Sequence, residues 1–296
     1  MTTHPLSPTV VAGGRGAVGA MLVDLLRSDG RLVVVADPRD DPGLDVTRPG
    51  DAADEALREA EGVVLAVPEP VAVTAVDVLR DRLRPGALLV ETLSVKTRIA
   101  ERMRDLDTPS VGINPMFAPS LGMAGRPVLA VLHRDGPPVA PFLDLLRRGG
   151  ATVVPVTAIE HDRLCAATQV LTHAAVLAAG LALAELGAGT AELHAAAPPP
   201  HTLLLALLAR VSLGTPEVYW DVQAANPFAR EARAALATGL ARLSRVCESG
   251  TEAEFAALMA QARGPLGEHD RRYGDLCARL FEFLPVDART AGGWTP

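Results

Sequence analysis

The sequence is poor in lysine, cysteine and aromatic residues. Lys96 is the only lysine among 296 residues, so arginine supplies the other basic side chains. The three cysteines, Cys165, Cys247 and Cys277, are far apart and odd in number, and their spacing predicts neither a disulfide framework nor a zinc site. Such cysteine usage is typical of a reducing compartment, and the first residues lack the pattern of a signal peptide. We therefore expect a cytoplasmic protein with no metal site.

Excess positive charge is absent as well. The 28 basic and 35 acidic residues give a formal net charge of −7, which excludes a general nucleic-acid binder. The most apolar stretch, residues 164–186, carries Gln169, His173 and Glu185, and a membrane span is normally purer than that. We expect this stretch to be a buried helix, and we expect no nucleic-acid or membrane partner.

The two halves of the chain differ in pattern. Up to about residue 157, short apolar runs alternate with helical patterns, which is typical of a parallel sheet with helices on both faces. Beyond that point, alanine- and leucine-rich helical patterns follow one another with almost no strand pattern. The sequence thus predicts an α/β Rossmann-type parallel-sheet domain at 1–157 and an all-α domain at 158–296.

A glycine-rich motif joins the first predicted strand to the first predicted helix. It reads Gly14-Arg15-Gly16-Ala17-Val18-Gly19, a pattern in which glycines let the backbone and the helix N-terminus approach a pyrophosphate. Asp37 ends the second strand, where a carboxylate accepts hydrogen bonds from ribose hydroxyls and repels a 2′-phosphate. The motif predicts an NAD site, with Arg39 close enough to weaken the preference over NADP. Val67 and Pro68 end the third strand and are expected at the same edge.

Two more motifs follow later strands and extend this pattern. They are Leu93-Ser94-Val95-Lys96 and Asn114-Pro115-Met116-Phe117-Ala118-Pro119. With the glycine motif, Glu160-His161-Asp162, His173, Arg210 and residues 216–221, they occur in the order of the prephenate dehydrogenase family, which this sequence resembles over nearly its whole length. The resemblance implies an NAD-dependent dehydrogenase whose helical domain forms a homodimer and helps to bind the substrate.

The resemblance also implies roles for individual residues. Asn114 and Ser94 are expected as catalytic residues beside the C4 substituent of the substrate. The expected substrate-binding residues are Arg210, on the ring carboxylate, His173, near the pyruvyl side, and Lys96, Tyr219 and His201. Structural roles remain open for several of them: a helix cap for Ser94, a surface position for Lys96 or Arg210, and a core position for His173.

Two positions depart from the family pattern. Asn114 stands where the family has a histidine, which takes the proton of the C4 hydroxyl as hydride leaves C4. An amide is no general base near pH 7, and such a base contributes about 10²–10⁴ in rate. Thr202 lies near a position where many members have an arginine, which leaves one carboxylate contact in doubt.

Four explanations follow from these departures. The chain is a catalytically dead dinucleotide-binding paralogue, a prephenate or arogenate dehydrogenase with another base, a β-hydroxyacid dehydrogenase, or an enzyme whose substrate needs no such base. We favour the last, because an amino group at C4 can expel hydride with its own lone pair. The expected reaction is NAD-dependent oxidative decarboxylation of 4-amino-4-deoxyprephenate to 4-aminophenylpyruvate, in biosynthesis of a 4-aminophenylalanine-derived antibiotic.

Overall fold

The computed structural model describes residues 7–187 and 189–284. They form two compact units. The first unit contains the described residues up to Ala166 together with Trp220–Phe228, and the second contains Ala167–Tyr219 and the described residues from Ala229 onward. The first unit thus extends nine residues past the boundary expected at 157 and takes in a short segment from the helical half.

The first unit is built on a seven-stranded sheet with the order β2-β1-β3-β4-β5-β6-β7. Its first five strands are parallel, so the predicted Rossmann-type arrangement is confirmed. The strands are β1 (Thr9–Ala12), β2 (Val33–Ala36), β3 (Gly62–Leu65), β4 (Leu88–Glu91), β5 (Ser110–Pro115), β6 (Pro127–Arg134) and β7 (Thr152–Pro155).

The sheet is not parallel throughout, which differs from the expectation. β6 runs antiparallel to β5, and β7 runs parallel to β6. The segment between β5 and β6 holds only a short 3₁₀ turn at Pro119–Leu121. A parallel neighbour needs a crossover of a dozen or more residues, normally with a helix, so this short link reverses the chain direction.

Helices cover both faces of the sheet. They are α1 (Ala17–Ser28), α2 (Asp51–Glu59), α3 (Glu69–Leu79), α4 (Thr97–Met103), α5 (Val139–Arg148) and α6 (Ala158–Cys165). Successive strand residues alternate between two buried clusters, with Val10 and Val63 in one and Val11 and Val64 in the other. Since both faces are buried, the strands carry the continuous apolar runs seen in the sequence.

In the described part of the second unit, the regular elements are all helices. Past a π-helical turn at Ala166–Val170, the helices are α7 (Leu171–Leu186), α8 (Thr190–Ala195), α9 (Pro199–Ser212), α10 (Pro216–Ala224, whose last part belongs to the first unit), α11 (Ala229–Ser249), α12 (Glu252–Arg263) and α13 (Asp270–Glu282). α7 packs on α9 at Gly180, where an added Cβ would lie 2.7 Å from Leu208 Cδ1.

Helix α7 is largely exposed in a single chain, so one chain by itself does not provide the burial expected for this helix. Val176 is its one buried residue, and Leu181 and Leu186 are 71% and 77% exposed. The helix is apolar on all sides, and one chain offers too few neighbours to cover it. By length and composition alone, the run Ala158–Leu186 is also long and apolar enough to cross a membrane. An extended apolar surface is thus left for a partner.

Candidate active site

The glycine motif forms a tight loop between β1 and α1. Gly13, just before the motif, has φ +73°, and a Cβ there would lie 2.2 Å from the carbonyl oxygen of Ala66. A Cβ at Gly19 would lie 2.3 Å from the carbonyl oxygen of Gly13. Only glycine therefore fits at Gly13 and Gly19. The loop also brings Gly13 against Val67, so the ends of β1 and β3 meet as expected, with Val67 half-buried and Pro68 exposed.

Asp37 follows β2 and reaches across to this loop. Its carboxylate accepts the backbone N–H of Arg15 at 3.3 Å and two hydrogen bonds from the guanidinium of Arg39, at 2.9 and 2.7 Å. The hydrogen bonds from Arg39 lower the pKa of Asp37 to about 2. A fully ionised carboxylate therefore lies beside the glycine loop, and a neighbouring arginine is tied to it.

Asn114 lies at the end of β5 and is only 4% exposed. Its amide nitrogen lies 3.1 Å from Nε2 of His161 and 3.6 Å from Sγ of Cys165. Both partners are on α6, at positions four residues apart on one helical face. Nδ1 of His161 lies 2.8 Å from Oδ1 of Asp162. A buried chain of polar side chains thus runs from Asn114 through His161 to Asp162.

Asp162 also caps helix α4 from a distance. Its carboxylate accepts the backbone N–H groups of Lys96 and Thr97, at 2.8 and 2.9 Å, and the Thr97 hydroxyl. This leaves no capping role for Ser94, since α4 begins at Thr97. Ser94 is half-buried in the loop between β4 and α4, and the alternative of a Ser94 helix cap is therefore wrong.

Lys96 is fully buried, so the alternative of a surface lysine is wrong. Its ammonium donates to both carboxylate oxygens of Glu91, at 2.9 and 2.7 Å, and to the carbonyl oxygen of Ile113 at 2.9 Å. These bonds use all three N–H donors of the side chain. Nε2 of His133 lies 3.1 Å from the same carboxylate. Lys96 thus joins the end of β4 to β5 at Ile113, the residue before Asn114. A direct contact to substrate would require Lys96 to break one of these bonds.

The helical unit brings together three of the expected substrate-binding residues. The rings of His173 and Tyr219 meet edge to face with centroids 4.8 Å apart. The Tyr219 hydroxyl donates to the carbonyl oxygen of Arg210 at 3.4 Å. Burial, followed by the positive charge of Arg210, lowers the pKa of His173. Near neutral pH, His173 is therefore an uncharged donor and acceptor beside an exposed guanidinium.

Two ring nitrogens in this unit are buried without a protein partner among the described residues. They are Nδ1 of His173 and Nε2 of His201. Buried polar atoms normally have a hydrogen-bond partner, so both atoms favour a ligand-binding interpretation over a core position. Thr202 follows His201 on α9, and its hydroxyl is 3.4 Å from the carbonyl oxygen of Pro198.

Comparison with known proteins shows which family the chain belongs to. Residues 157–261 match the family model described as prephenate dehydrogenase, dimerization domain. The chain is 53% identical to the 4-amino-4-deoxyprephenate dehydrogenase of Streptomyces pristinaespiralis over 285 residues, which cover 93% of this chain and 96% of that protein. The chain belongs to the prephenate dehydrogenase family.

Proteins of lower sequence identity are also similar to this chain. The T-protein of Enterobacter agglomerans is 30% identical over 73% of this chain and 56% of its own length. The structure of prephenate dehydrogenase from A. aeolicus with hydroxyphenyl propionate and NAD⁺ superposes with a TM-score of 0.69, at 15% identity, over 88% of this chain and 98% of that one. Synechocystis arogenate dehydrogenase gives 0.64 at 19% identity, over 88% and 99%. At such identities the structures establish the shared fold.

Several residues of the site were missed or misjudged from the sequence. Gly13 was not singled out, although it directly precedes the three glycines of the motif. His161 pairs locally with Asp162, but its contact with Asn114, 47 residues away, was not predicted. The sequence did not predict the roles of Glu91 and His133 around Lys96. A polar or charged residue near the end of an apolar strand is normally expected to be exposed. The presence of a single lysine among many arginines was the one feature of the sequence that indicated a specific role for Lys96.

Proposed function

We propose that this protein catalyses the NAD-dependent oxidative decarboxylation of 4-amino-4-deoxyprephenate to 4-aminophenylpyruvate, CO₂ and NADH. The observation that carries the proposal is Asn114, a buried amide at the position where the family pattern has a basic histidine. A neutral amide cannot take the proton of a C4 hydroxyl, yet its oxygen can accept an N–H from a C4 amine. The 53% identity to a protein named for this substrate supports the same conclusion.

The loop after β1 fits a dinucleotide. Gly13 and Gly19 leave no room for side chains, so the backbone is open to a pyrophosphate beside the N-terminus of α1. The ionised carboxylate of Asp37 suits the two hydroxyls of an adenosine ribose and repels a 2′-phosphate. We infer that Gly14, Arg15, Gly16, Ala17, Val18 and Gly19, with Asp37, Val67 and Pro68, hold NAD.

The reaction balances without a further reagent. NAD, held by the glycine loop and Asp37, would supply the acceptor for the hydride that leaves C4 of the substrate. The lone pair of the C4 nitrogen forms a C=N bond as the hydride leaves, which gives an iminium on the ring. The bond from C1 to its carboxylate then breaks, CO₂ departs, and its electron pair completes the aromatic ring while the nitrogen regains its lone pair.

Asn114 has a binding and orienting role in this scheme. Its carbonyl oxygen accepts an N–H of the neutral amine and so fixes the C4 substituent for hydride loss. The amine must be neutral to react, so an ammonium must first release one proton. Ser94, half-buried in the neighbouring loop, is our candidate for contacting the C4 substituent during that step.

The helical unit supplies groups for the two carboxylates of the substrate. Arg210 offers the planar pair of N–H donors that suits a carboxylate, and we assign it to the ring carboxylate. His173 is assigned to the pyruvyl side, with Tyr219 and His201 lining the pocket, so the substrate would supply partners for the buried ring nitrogens of His173 and His201. Lys96 enters the proposal as a residue that positions β5.

The protein is proposed to act as a cytoplasmic homodimer, with no membrane or nucleic-acid partner. The match of residues 157–261 to a dimerization domain supports the dimer. So does the exposed apolar surface of α7. A second copy of the chain would cover this helix by two-fold symmetry. The product, a 2-oxo acid, is a substrate for transamination to 4-aminophenylalanine, the building block of the antibiotic expected above.

Stoichiometry of the products tests the proposal. Purified protein with NAD and 4-amino-4-deoxyprephenate should form NADH, CO₂ and 4-aminophenylpyruvate in equal amounts, as followed by absorbance, trapped CO₂ and mass spectrometry. Formation of NADH without CO₂ would contradict the decarboxylation. Absence of NADH with intact NAD binding would favour the catalytically dead alternative.

A further inference from the structure

The orientation of the Asn114 amide follows from what surrounds its nitrogen. Two groups on α6 lie within reach of Nδ2, a histidine ring nitrogen and a thiol sulfur. Burial raises the pKa of the Cys165 thiol to about 12, so the sulfur stays protonated and is a weak acceptor. The decisive neighbour is therefore His161, whose Nε2 must be known as either donor or acceptor.

Asp162 decides the tautomer of His161. Burial raises the pKa of Asp162, but hydrogen bonds from His161, Thr97 and two backbone N–H groups outweigh this, so the carboxyl is ionised. Burial also lowers the pKa of His161, and Asp162 restores only part of it. A neutral imidazole beside a carboxylate carries its proton on the nitrogen that faces the carboxylate. In His161 that nitrogen is Nδ1, which leaves a lone pair on Nε2.

The lone pair on Nε2 fixes which end of the amide faces α6. Nδ2 of Asn114 donates to Nε2 in the observed orientation. The flipped amide would set its carbonyl oxygen against the same lone pair, and two acceptors repel each other. Oδ1 is therefore held on the side away from His161.

We propose that His161 and Asp162 are positioning residues that lock the Asn114 amide so that its carbonyl oxygen is presented to the substrate, which makes the site specific for an N–H donor at C4. This inference rests on the proposed function. The inference explains why the residue beside His161 is an aspartate. A neutral neighbour would not fix the tautomer of His161, and the orientation of the Asn114 amide would then not be fixed either. Neither α6 residue touches the reacting atoms in this account.

The variant Asp162→Asn tests the relay. An asparagine keeps the shape of the aspartate but destabilises the Nδ1–H tautomer, an effect known from histidine–aspartate pairs in hydrolases. The Asn114 amide should then turn over and present its NH₂ group to the substrate. We expect kcat for the amino substrate to fall about tenfold, the order of one lost hydrogen bond to the reacting group.

Testing Asp162→Asn in a protein that also carries Asn114→Asp separates a change in amide orientation from a loss of structure. In Asn114→Asp, either orientation sets one carboxylate oxygen against Nε2 of His161, where it favours a proton on that nitrogen. The other oxygen is an acceptor for the substrate in either orientation, so no orientation has to be fixed. Asp162→Asn should then change kcat by no more than about threefold, on the scale of a weak hydrogen bond. Thr97→Val serves as the matched control, because it removes another hydrogen bond of Asp162 without touching His161. It should lower the melting temperature and leave kcat nearly unchanged.

Equal losses from Asp162→Asn in both backgrounds would overturn the inference, since they would mean that Asp162 acts only by capping α4. Nitrogen-15 NMR of the unmodified protein gives an answer that needs no turnover: the His161 signal should show the proton on Nδ1, and a proton on Nε2 would overturn the inference. If the unmodified protein fails to oxidise the amino substrate, the proposed function falls and the specificity with it. A loss independent of background overturns the inference alone.

Discussion

The carboxylate of Asp37 accepts two hydrogen bonds from the guanidinium of Arg39, at 2.9 and 2.7 Å. Asp37 is buried, whereas the Arg39 side chain is 63% exposed. In the proposed NAD site, the carboxylate that would repel a 2′-phosphate thus also restrains the arginine that would bind one. We infer that cofactor preference at this loop depends on this single carboxylate.

Replacing Asp37 by serine should therefore narrow the preference for NAD. The substitution removes the repulsion of the 2′-phosphate and frees Arg39 to bind it, so we expect the ratio of kcat/KM for NAD to that for NADP to fall by about tenfold or more, the effect of one charged hydrogen bond. Steady-state kinetics with both cofactors measure this ratio. Asp29→Ser is the matched control, because Asp29 pairs with Arg148. Equal or better turnover with NADP in the unmodified protein would contradict the role of Asp37.

Replacing Asn114 by histidine should create activity on prephenate. His161 can accept one N–H of the new imidazole, as it accepts the amide now, which leaves the other ring nitrogen as a base for the C4 hydroxyl. We expect prephenate turnover to rise, by at most the general-base factor of about 10²–10⁴. Turnover of the amino substrate should not improve. Asn114→Ala, which supplies no base, should show no gain with prephenate, and a similar gain in both variants would argue against the base.

Replacing Lys96 by methionine should destabilise the protein. The ammonium is fully buried and satisfies Glu91 and the Ile113 carbonyl, and removal of one partner from a buried ion pair costs about 3–5 kcal/mol. Urea denaturation measures the free energy of unfolding. A lysine that contacts substrate directly would give the opposite pattern, in which the variant keeps its stability and loses affinity for substrate.

The dimer is testable on the exposed side of α7. Leu181 is 71% exposed in a single chain, and a glutamate there would place a charge in the proposed interface. Light scattering at micromolar concentration should show a dimer for the unmodified protein and a monomer for Leu181→Glu. The matched control is Leu132→Glu on the sheet unit, where Leu132 is 54% exposed, and it should remain dimeric. A monomeric unmodified protein would contradict the proposal.

The sequence predicted the order of strands and helices because period and composition are local properties. The alternation of apolar runs with helical patterns predicted all seven strands, and the glycine motif located the loop after β1. The reversed direction of β6 was missed, because pairing direction depends on the short link before it and leaves no trace in the strand itself. A single chain does not provide the burial expected for α7, and the proposed two-fold interface would supply it.

The site was predicted in part for the same reason. Asn114 lies near the end of a strand and Asp37 directly after one, so their positions follow from the local pattern. The contact between Asn114 and His161 joins residues far apart in the chain, and no periodicity encodes it. The burial of Lys96 depends on Glu91 and Ile113 meeting it in the folded sheet, which composition alone does not reveal.

The most direct test of the account compares three substrates on the unmodified protein. NADH formation is measured under identical conditions with 4-amino-4-deoxyprephenate, prephenate and arogenate, and kcat/KM is determined for each. The account predicts that the amino compound is oxidised faster than the other two by about 10²-fold or more, because Asn114 offers an acceptor oxygen and no base. Oxidation of prephenate or arogenate with equal kcat/KM would contradict it.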